Sequence, residues 1–179
     1  NPNNPTGAVY SEEMIGALAA IGEKHQLVLL SDEIYDQIIY SQKAHFPLAR
    51  YVHKTLCLTY GGLSKNYRAA GFRSGWLIFS GRTDCASDFI LGVDTLASMR
   101  LCANVTAQLT VQTALGGYQS IRDLVGEGGR LRKQRDLVYQ RLLAIDGIEC
   151  VEPQGALYAF PKIDPQVYPH LDDERFAMK

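Results

Sequence analysis

Lys65 stands in the segment Gly61-Gly62-Leu63-Ser64-Lys65-Asn66-Tyr67-Arg68-Ala69-Ala70-Gly71-Phe72-Arg73. A lysine amine can condense with an aldehyde, and a guanidinium can grip a phosphate bidentately. The amine attacks only when neutral, a form that nearby cations favour, and Arg68 and Arg73 both follow closely. Read alone, Gly-Leu-Ser-Lys describes a surface lysine, and Arg73 a surface salt bridge. Upstream residues change the reading. Asp32 closes an apolar run, where a carboxylate could pair with a protonated ring nitrogen or cap a helix. Tyr35, three residues on, could donate to a phenolic oxygen from a turn or a first helical turn, or could simply pack. Asn4 lies in Asn1-Pro2-Asn3-Asn4-Pro5-Thr6-Gly7. The Pro and Gly of that turn fix its backbone, so the amide could aim at the same phenolic oxygen. Ser64 offers a hydroxyl to a phosphate, or is a small turn residue. Arg68 reaches a phosphate or fixes the loop. An aldehyde, a phosphate, a phenolic oxygen and a ring nitrogen together describe pyridoxal 5'-phosphate (PLP).

Those residues need elements to carry them. Ser11 can cap a helix with Glu12 and Glu13 in its first turn. Met14, Ile15, Leu18, Ala19 and Ile21 fit one face up to about His25. Gln26–Ser31 reads as a buried parallel strand ending at Asp32. Thr55–Tyr60 repeats that pattern before Gly61-Gly62, and Gly75–Phe79 is a third strand. This alternation indicates an α/β fold. In open α/β sheets ligands sit beyond the carboxyl ends of parallel strands, so Asp32 and Lys65 can converge. Helical spacing covers Asp84–Leu101 and Thr106–Tyr118. A charged helix with a solvated basic face covers Ile121–Ile145. Ile148–Val151 and Ala156–Phe160 read as strands joined through Pro153-Gln154-Gly155. A smaller domain is expected from residue 120, giving 1–119 as part of a large domain and 120–179 as the first part of a small one.

The composition is that of an ordinary globular chain: 179 residues, 46% hydrophobic and 21% charged. A net charge of -1 favours neither nucleic acid nor an anionic membrane as partner, and no apolar run is long enough to span a bilayer. Cys57, Cys85, Cys102 and Cys150 form no CxxC pair. They read as buried free thiols of a cytoplasmic protein. The four histidines are scattered, and no metal site is expected. Asn1–Pro5 is neither a signal peptide nor a start with Met, and Arg175–Lys179 reads as a helix in its first turns. The chain is therefore expected to be a fragment, inactive or very weak by itself.

Three blocks, Asn1–Gly7, Ser31–Tyr35 and Ser64-Lys65 with Arg73, resemble those of the class I/II aminotransferases, PLP-dependent enzymes of fold type I. The likeness is dense over residues 1–75 and looser to about Lys162, where Gly155–Phe160 resembles a strand that opens the small domain's sheet. Within the family, the Gly62–Trp76 run is most like that of bacterial alanine (glutamate–pyruvate) aminotransferases. The resemblance implies a mostly parallel sheet flanked by helices, followed by the start of a small α+β domain. It also implies a homodimer, transamination between an L-amino acid and a 2-oxo acid, and roles for single residues. Lys65 would be the cofactor's anchor and proton shuttle. Asn4 and Tyr35 would meet the phenolic oxygen, Asp32 the ring nitrogen, and Arg73 the phosphate. The family's substrate-carboxylate arginine and upstream phosphate loop have no counterpart in this sequence. Position 62 is Gly where some relatives carry a phosphate-contacting Ser.

A PLP lyase or decarboxylase on the same fold would share every residue named, as would an aminotransferase-like PLP-sensing regulator. A nucleotide-binding α/β protein is disfavoured, because neither GxGxxG nor GxxxxGK[ST] occurs.

Overall fold

The structure, a computed structural model, describes residues 1–41, 44–169 and 172–178. Helix α1 spans Glu12–Lys24 and begins where expected. Ser11 Oγ accepts from the Met14 N–H (3.2 Å), and Glu12 and Glu13 face the positive helix end. Its buried stripe is Ile15, Ala19 and Gly22. Met14, Leu18 and Ile21 form an adjacent stripe that stays exposed. Gly22 lets Leu29 pack close, since a Cβ there would sit 2.6 Å from the Leu29 side chain and push it aside.

Strand β1 (Leu29–Asp32) is shorter than the expected Gln26–Ser31. It runs parallel to β2 (Leu56–Gly62), with Leu29 opposite Cys57 and Asp32 opposite Tyr60. β3 (Gly75–Gly81) pairs antiparallel with β2, within a sheet expected to be mostly parallel. The connection Leu63–Ser74 holds only a short 3₁₀ turn (Ala70–Phe72), not a crossover helix, so the chain returns beside the strand it left. Ile15, Ala19, Leu48, Val52 and Cys57 form the core between α1 and this sheet.

Helices α2 (Ser87–Met99) and α3 (Val105–Gly116) follow, close to the spans expected. The single helix expected over Ile121–Ile145 is instead two, α4 (Ile121–Val125) and α5 (Arg130–Leu143). Glycines break it: Gly128 has φ +75°, and a Cβ on Gly129 would lie 2.4 Å from the carbonyl oxygens of Asp123 and Leu124. The basic face of α5 is not wholly solvated. The Arg135 side chain is 10% exposed, contacts Asp136 and Glu152, donates to the Pro153 carbonyl (2.6 Å) and lies over the Tyr40 ring.

β4 (Ile148–Cys150) pairs antiparallel with β5, which is Pro161–Ile163 and not the expected Ala156–Phe160. Ala156 has φ +58°, outside the strand region, and its backbone is committed elsewhere. Its N–H donates to Ile38 O, and its carbonyl accepts from the Tyr40 hydroxyl. Gly155 forms an isolated bridge with Ile39. A second core gathers Tyr35, Ile38, Tyr40, Ile121, Val125 and Ala156, so residues on both sides of position 120 share it. The short helix α6 (Asp173–Ala177) comes last. Of the cysteines, Cys57 is buried, Cys150 is intermediate, and Cys85 and Cys102 are exposed. The thiols are free, but only Cys57 is buried as expected.

Candidate active site

Two of the residues picked out from sequence follow the carboxyl ends of the parallel pair β1–β2. β1 ends at Asp32, whose side chain lies on the sheet face opposite Ser31 and Glu33. Glu33 is buried and spoken for: its Oε1 accepts from Ser31 Oγ (2.9 Å) and from the Leu48 N–H (3.1 Å). Asp32 stays exposed, with one carboxylate oxygen accepting from the Ile34 N–H (3.1 Å). The chain then makes a turn, closed by Asp36 N–H to Glu33 O and Ile38 N–H to Tyr35 O, and this sets the buried Tyr35 ring beside Asp32.

Lys65 sits three residues beyond the end of β2. Its loop is closed by Leu63 N–H to Ser74 O and by Ala69 N–H to Leu63 O (both 3.0 Å). Leu63 and Asn66 are buried, Asn66 donates to Asp36, and the Tyr67 ring meets Trp76 edge to face. These anchors leave Ser64 and Lys65 partly exposed and Arg68 and Arg73 exposed. Lys65 Nζ stands 5.8 Å from the centroid of the Tyr35 ring and forms no ion pair with any described residue.

Other expected members stand apart from this pair. Arg73 has φ +51° and donates to Ala70 O (2.7 Å), while Arg68 reaches Ser120 Oγ (2.6 Å). Asn4 is exposed in a turn held by Asn3 N–H to Ala8 O and by Thr6 Oγ to Asn3 Oδ1. That turn is placed beside Asp32 by the Asn1 amino group, which donates to Asp32 O (2.7 Å). On its other side, Gly7 O accepts from the N–H groups of both Gln154 and Gly155 (2.9 Å each). Gly7 has φ +70°, and a Cβ there would meet Pro153 at 2.9 Å.

Sequence reasoning missed Tyr158. Its hydroxyl lies 2.5 Å from that of Tyr35, and the two rings meet edge to face at 5.7 Å. Burial, the hydrogen bond to Tyr158 and the nearby Asp32 charge all push the Tyr35 phenol well above its ordinary value. Tyr35 is therefore a neutral hydroxyl at physiological pH, able to donate. The positioned groups are thus an amine, a phenol donor and an exposed carboxylate, a set that can bind a carbonyl, an oxygen acceptor and a ring N–H.

Comparison with known proteins bears on the family. The profile of the family described as "Aminotransferase class I and II" matches residues 1–179. The chain is 55% identical over 178 residues to an alanine aminotransferase of Mycobacterium tuberculosis, covering 99% of this chain and 42% of that protein. It is 48% identical over 178 residues to the glutamate–pyruvate aminotransferase AlaA of Escherichia coli, covering 99% of this chain and 44% of that one. A crystal structure of an Escherichia coli aminotransferase superposes with a TM-score of 0.95 at 48% identity, covering 98% of this chain and 44% of that structure. The chain thus spans less than half the length of these relatives. Matched by the family profile from first residue to last, it belongs to the class I and II aminotransferases.

Proposed function

We propose that this chain forms part of a PLP-dependent aminotransferase that moves an amino group between an L-amino acid and a 2-oxo acid. The proposed pair is alanine and 2-oxoglutarate, giving pyruvate and glutamate. The observation that carries the reading is Lys65 Nζ beside the Tyr35 ring, on the loop following a strand whose parallel neighbour ends in Asp32. The identities to the Mycobacterium and Escherichia enzymes support the choice of substrates.

The residues fit the cofactor by donor and acceptor type. Lys65 offers an unpaired amine for an aldehyde. Asp32 has one carboxylate oxygen with no protein donor among the described residues, suited to a protonated ring nitrogen. Tyr35, with Asn4, suits a phenolic oxygen, and Ser64 and Arg73 suit a phosphate. PLP, when bound, supplies the electron sink for negative charge developing at the substrate's Cα. Lys65 anchors the cofactor and, once free, carries the proton from Cα. Asp32 keeps the ring nitrogen protonated.

Residues 1–119 belong, in this proposal, to a large domain and 120–179 to the start of a smaller one. A homodimer in the cytoplasm completes it. Free thiols are consistent with a reducing compartment, and among the described residues no helix is long and apolar enough to cross a membrane.

The deciding experiment is the visible spectrum of the full-length protein with PLP, followed by L-alanine without a 2-oxo acid. The expected result is a cofactor band that Lys65→Ala abolishes, and one equivalent of pyruvate per bound cofactor, with sustained turnover only once 2-oxoglutarate is added. Sustained turnover without an acceptor would replace transamination by a lyase reaction. Absence of the band would overturn the PLP reading.

A further inference from the structure

We propose that Tyr158 is a positioning residue for the phenolic-oxygen donor: its hydroxyl donates to Tyr35, freeing the Tyr35 proton to point at the ligand. This rests on the PLP reading above. Tyr35 has one O–H, and its oxygen has one protein partner among the described residues, the Tyr158 hydroxyl at 2.5 Å. The geometry allows either oxygen to donate. Without a ligand, Tyr35 can give its proton to Tyr158 and remain satisfied in its buried position. When an acceptor arrives, Tyr35 must turn its proton outward, and Tyr158 is the group that can then donate to it. Two hydroxyls in series polarise one another, which strengthens the outer bond.

The surroundings hold the pair in register. The rings meet at 82°, so the edge of one abuts the face of the other. Two residues before Tyr158, Ala156 is tied through N–H to Ile38 O (2.9 Å) and through its carbonyl to the Tyr40 hydroxyl (2.8 Å). The backbone carrying Tyr158 is therefore fastened to the same Tyr35–Tyr40 segment that it serves. Lys65 Nζ stands over the Tyr35 ring, 5.8 Å from its centroid, so a shift of Tyr35 would also change the surroundings of the lysine.

Tyr158→Phe keeps the ring and its packing and deletes only the hydroxyl. In the full-length protein, PLP affinity is expected to fall about three- to tenfold, the effect of one hydrogen bond. Tyr35→Phe should lose at least as much, and the double variant should equal Tyr35→Phe, because Tyr158 acts only through Tyr35. In the cofactor-free protein labelled with ¹³Cζ-tyrosine, the Tyr35 resonance should shift in Tyr158→Phe. Unchanged affinity with an unshifted Tyr35 resonance would overturn the proposal, as would penalties that add in the double variant. If the wild type shows the PLP band and Lys65→Ala loses it while Tyr158→Phe behaves as wild type, only this inference falls. If the wild type shows no band, the PLP reading falls and this inference with it.

Discussion

Between Leu63 and Ser74 the side chains divide by job. Leu63, Asn66 and Tyr67 hold the loop down, and Ser64, Lys65, Arg68 and Arg73 are left on its accessible side. The glycines before it matter for a related reason. A Cβ on Gly61 would sit 2.3 Å from the Trp76 indole nitrogen, so Gly61→Ala must displace Trp76 and the Tyr67 ring that meets it. The expected cost is about 1–3 kcal/mol, read as a lower urea midpoint, with a change in Trp76 emission. Asn66 donates to Asp36, whose carboxyl is pushed up chiefly by burial, against the pull of His45 and of the Asn66 bond. A carboxyl raised in the folded state keeps its proton longer there than in the unfolded chain. It therefore stabilises least once ionised, and stability falls as pH rises from the ordinary carboxylate value through the raised one. Asp36→Asn keeps an acceptor for Asn66 and removes the titration. Urea midpoints measured from about pH 3 to 7 should show the wild type losing ground to the variant as pH rises.

Elements are joined here by single side chains that reach across. Glu23, near the end of α1, accepts from the backbone N–H groups of His53 and Lys54 (2.6 and 2.8 Å), just ahead of β2. Those bonds hold its carboxyl below the ordinary value. A lowered value in the folded state stabilises above the ordinary carboxylate pKa, and that stability is lost as pH falls through the lowered one. Glu23→Gln should lack this acid-side loss, checked by melting temperatures across the same range. Arg135 performs the analogous task for α5, and Arg135→Met should cost about 1.5–3 kcal/mol in urea denaturation by freeing the Pro153 carbonyl and Glu152. These long reaches mark the limit of what the sequence makes legible. The start of α1 was readable because Ser11, Glu12 and Glu13 are neighbours. The break before α5 was also signalled locally, by Gly126, Gly128 and Gly129, and went unread because the charge pattern ran through it. Ala156–Phe160 was misread because its backbone partners lie at Ile38 and Tyr40. Tyr158 was invisible for the same cause, since its partner lies far back in the chain. The residue types at positions 4, 32, 35, 64, 65 and 73 could be chosen by chemistry and spacing. That Arg73 turns back to Ala70, and Arg68 to Ser120, could not.

Taken as a whole, the molecule carries much apolar surface outside its two cores. Leu30 on the sheet, Met99, Leu101 and Leu109 around α2 and α3, and Tyr118 and Val151 beyond them are all well exposed, Leu101 at 91%. A chain spanning less than half of its relatives' length would be expected to show such faces, and patches of this kind drive association. Expressed by itself, it should bind a hydrophobic dye strongly and enlarge with concentration in light scattering. A monomer that binds no dye would contradict this.

The two hydrogen bonds from Gln154 and Gly155 to Gly7 have a consequence during synthesis on the ribosome. The Asn-Pro turn emerges near the beginning of this stretch, yet the residues that clasp it are made close to the end. At roughly 5–20 residues per second, the turn waits on the order of ten seconds for them. Until then the loop between them is open, and closing so distant a contact is slow. This corner of the fold therefore comes together late, and the nascent chain exposes Asp32 and Lys65 to the cell well before the Asn-Pro turn is clasped.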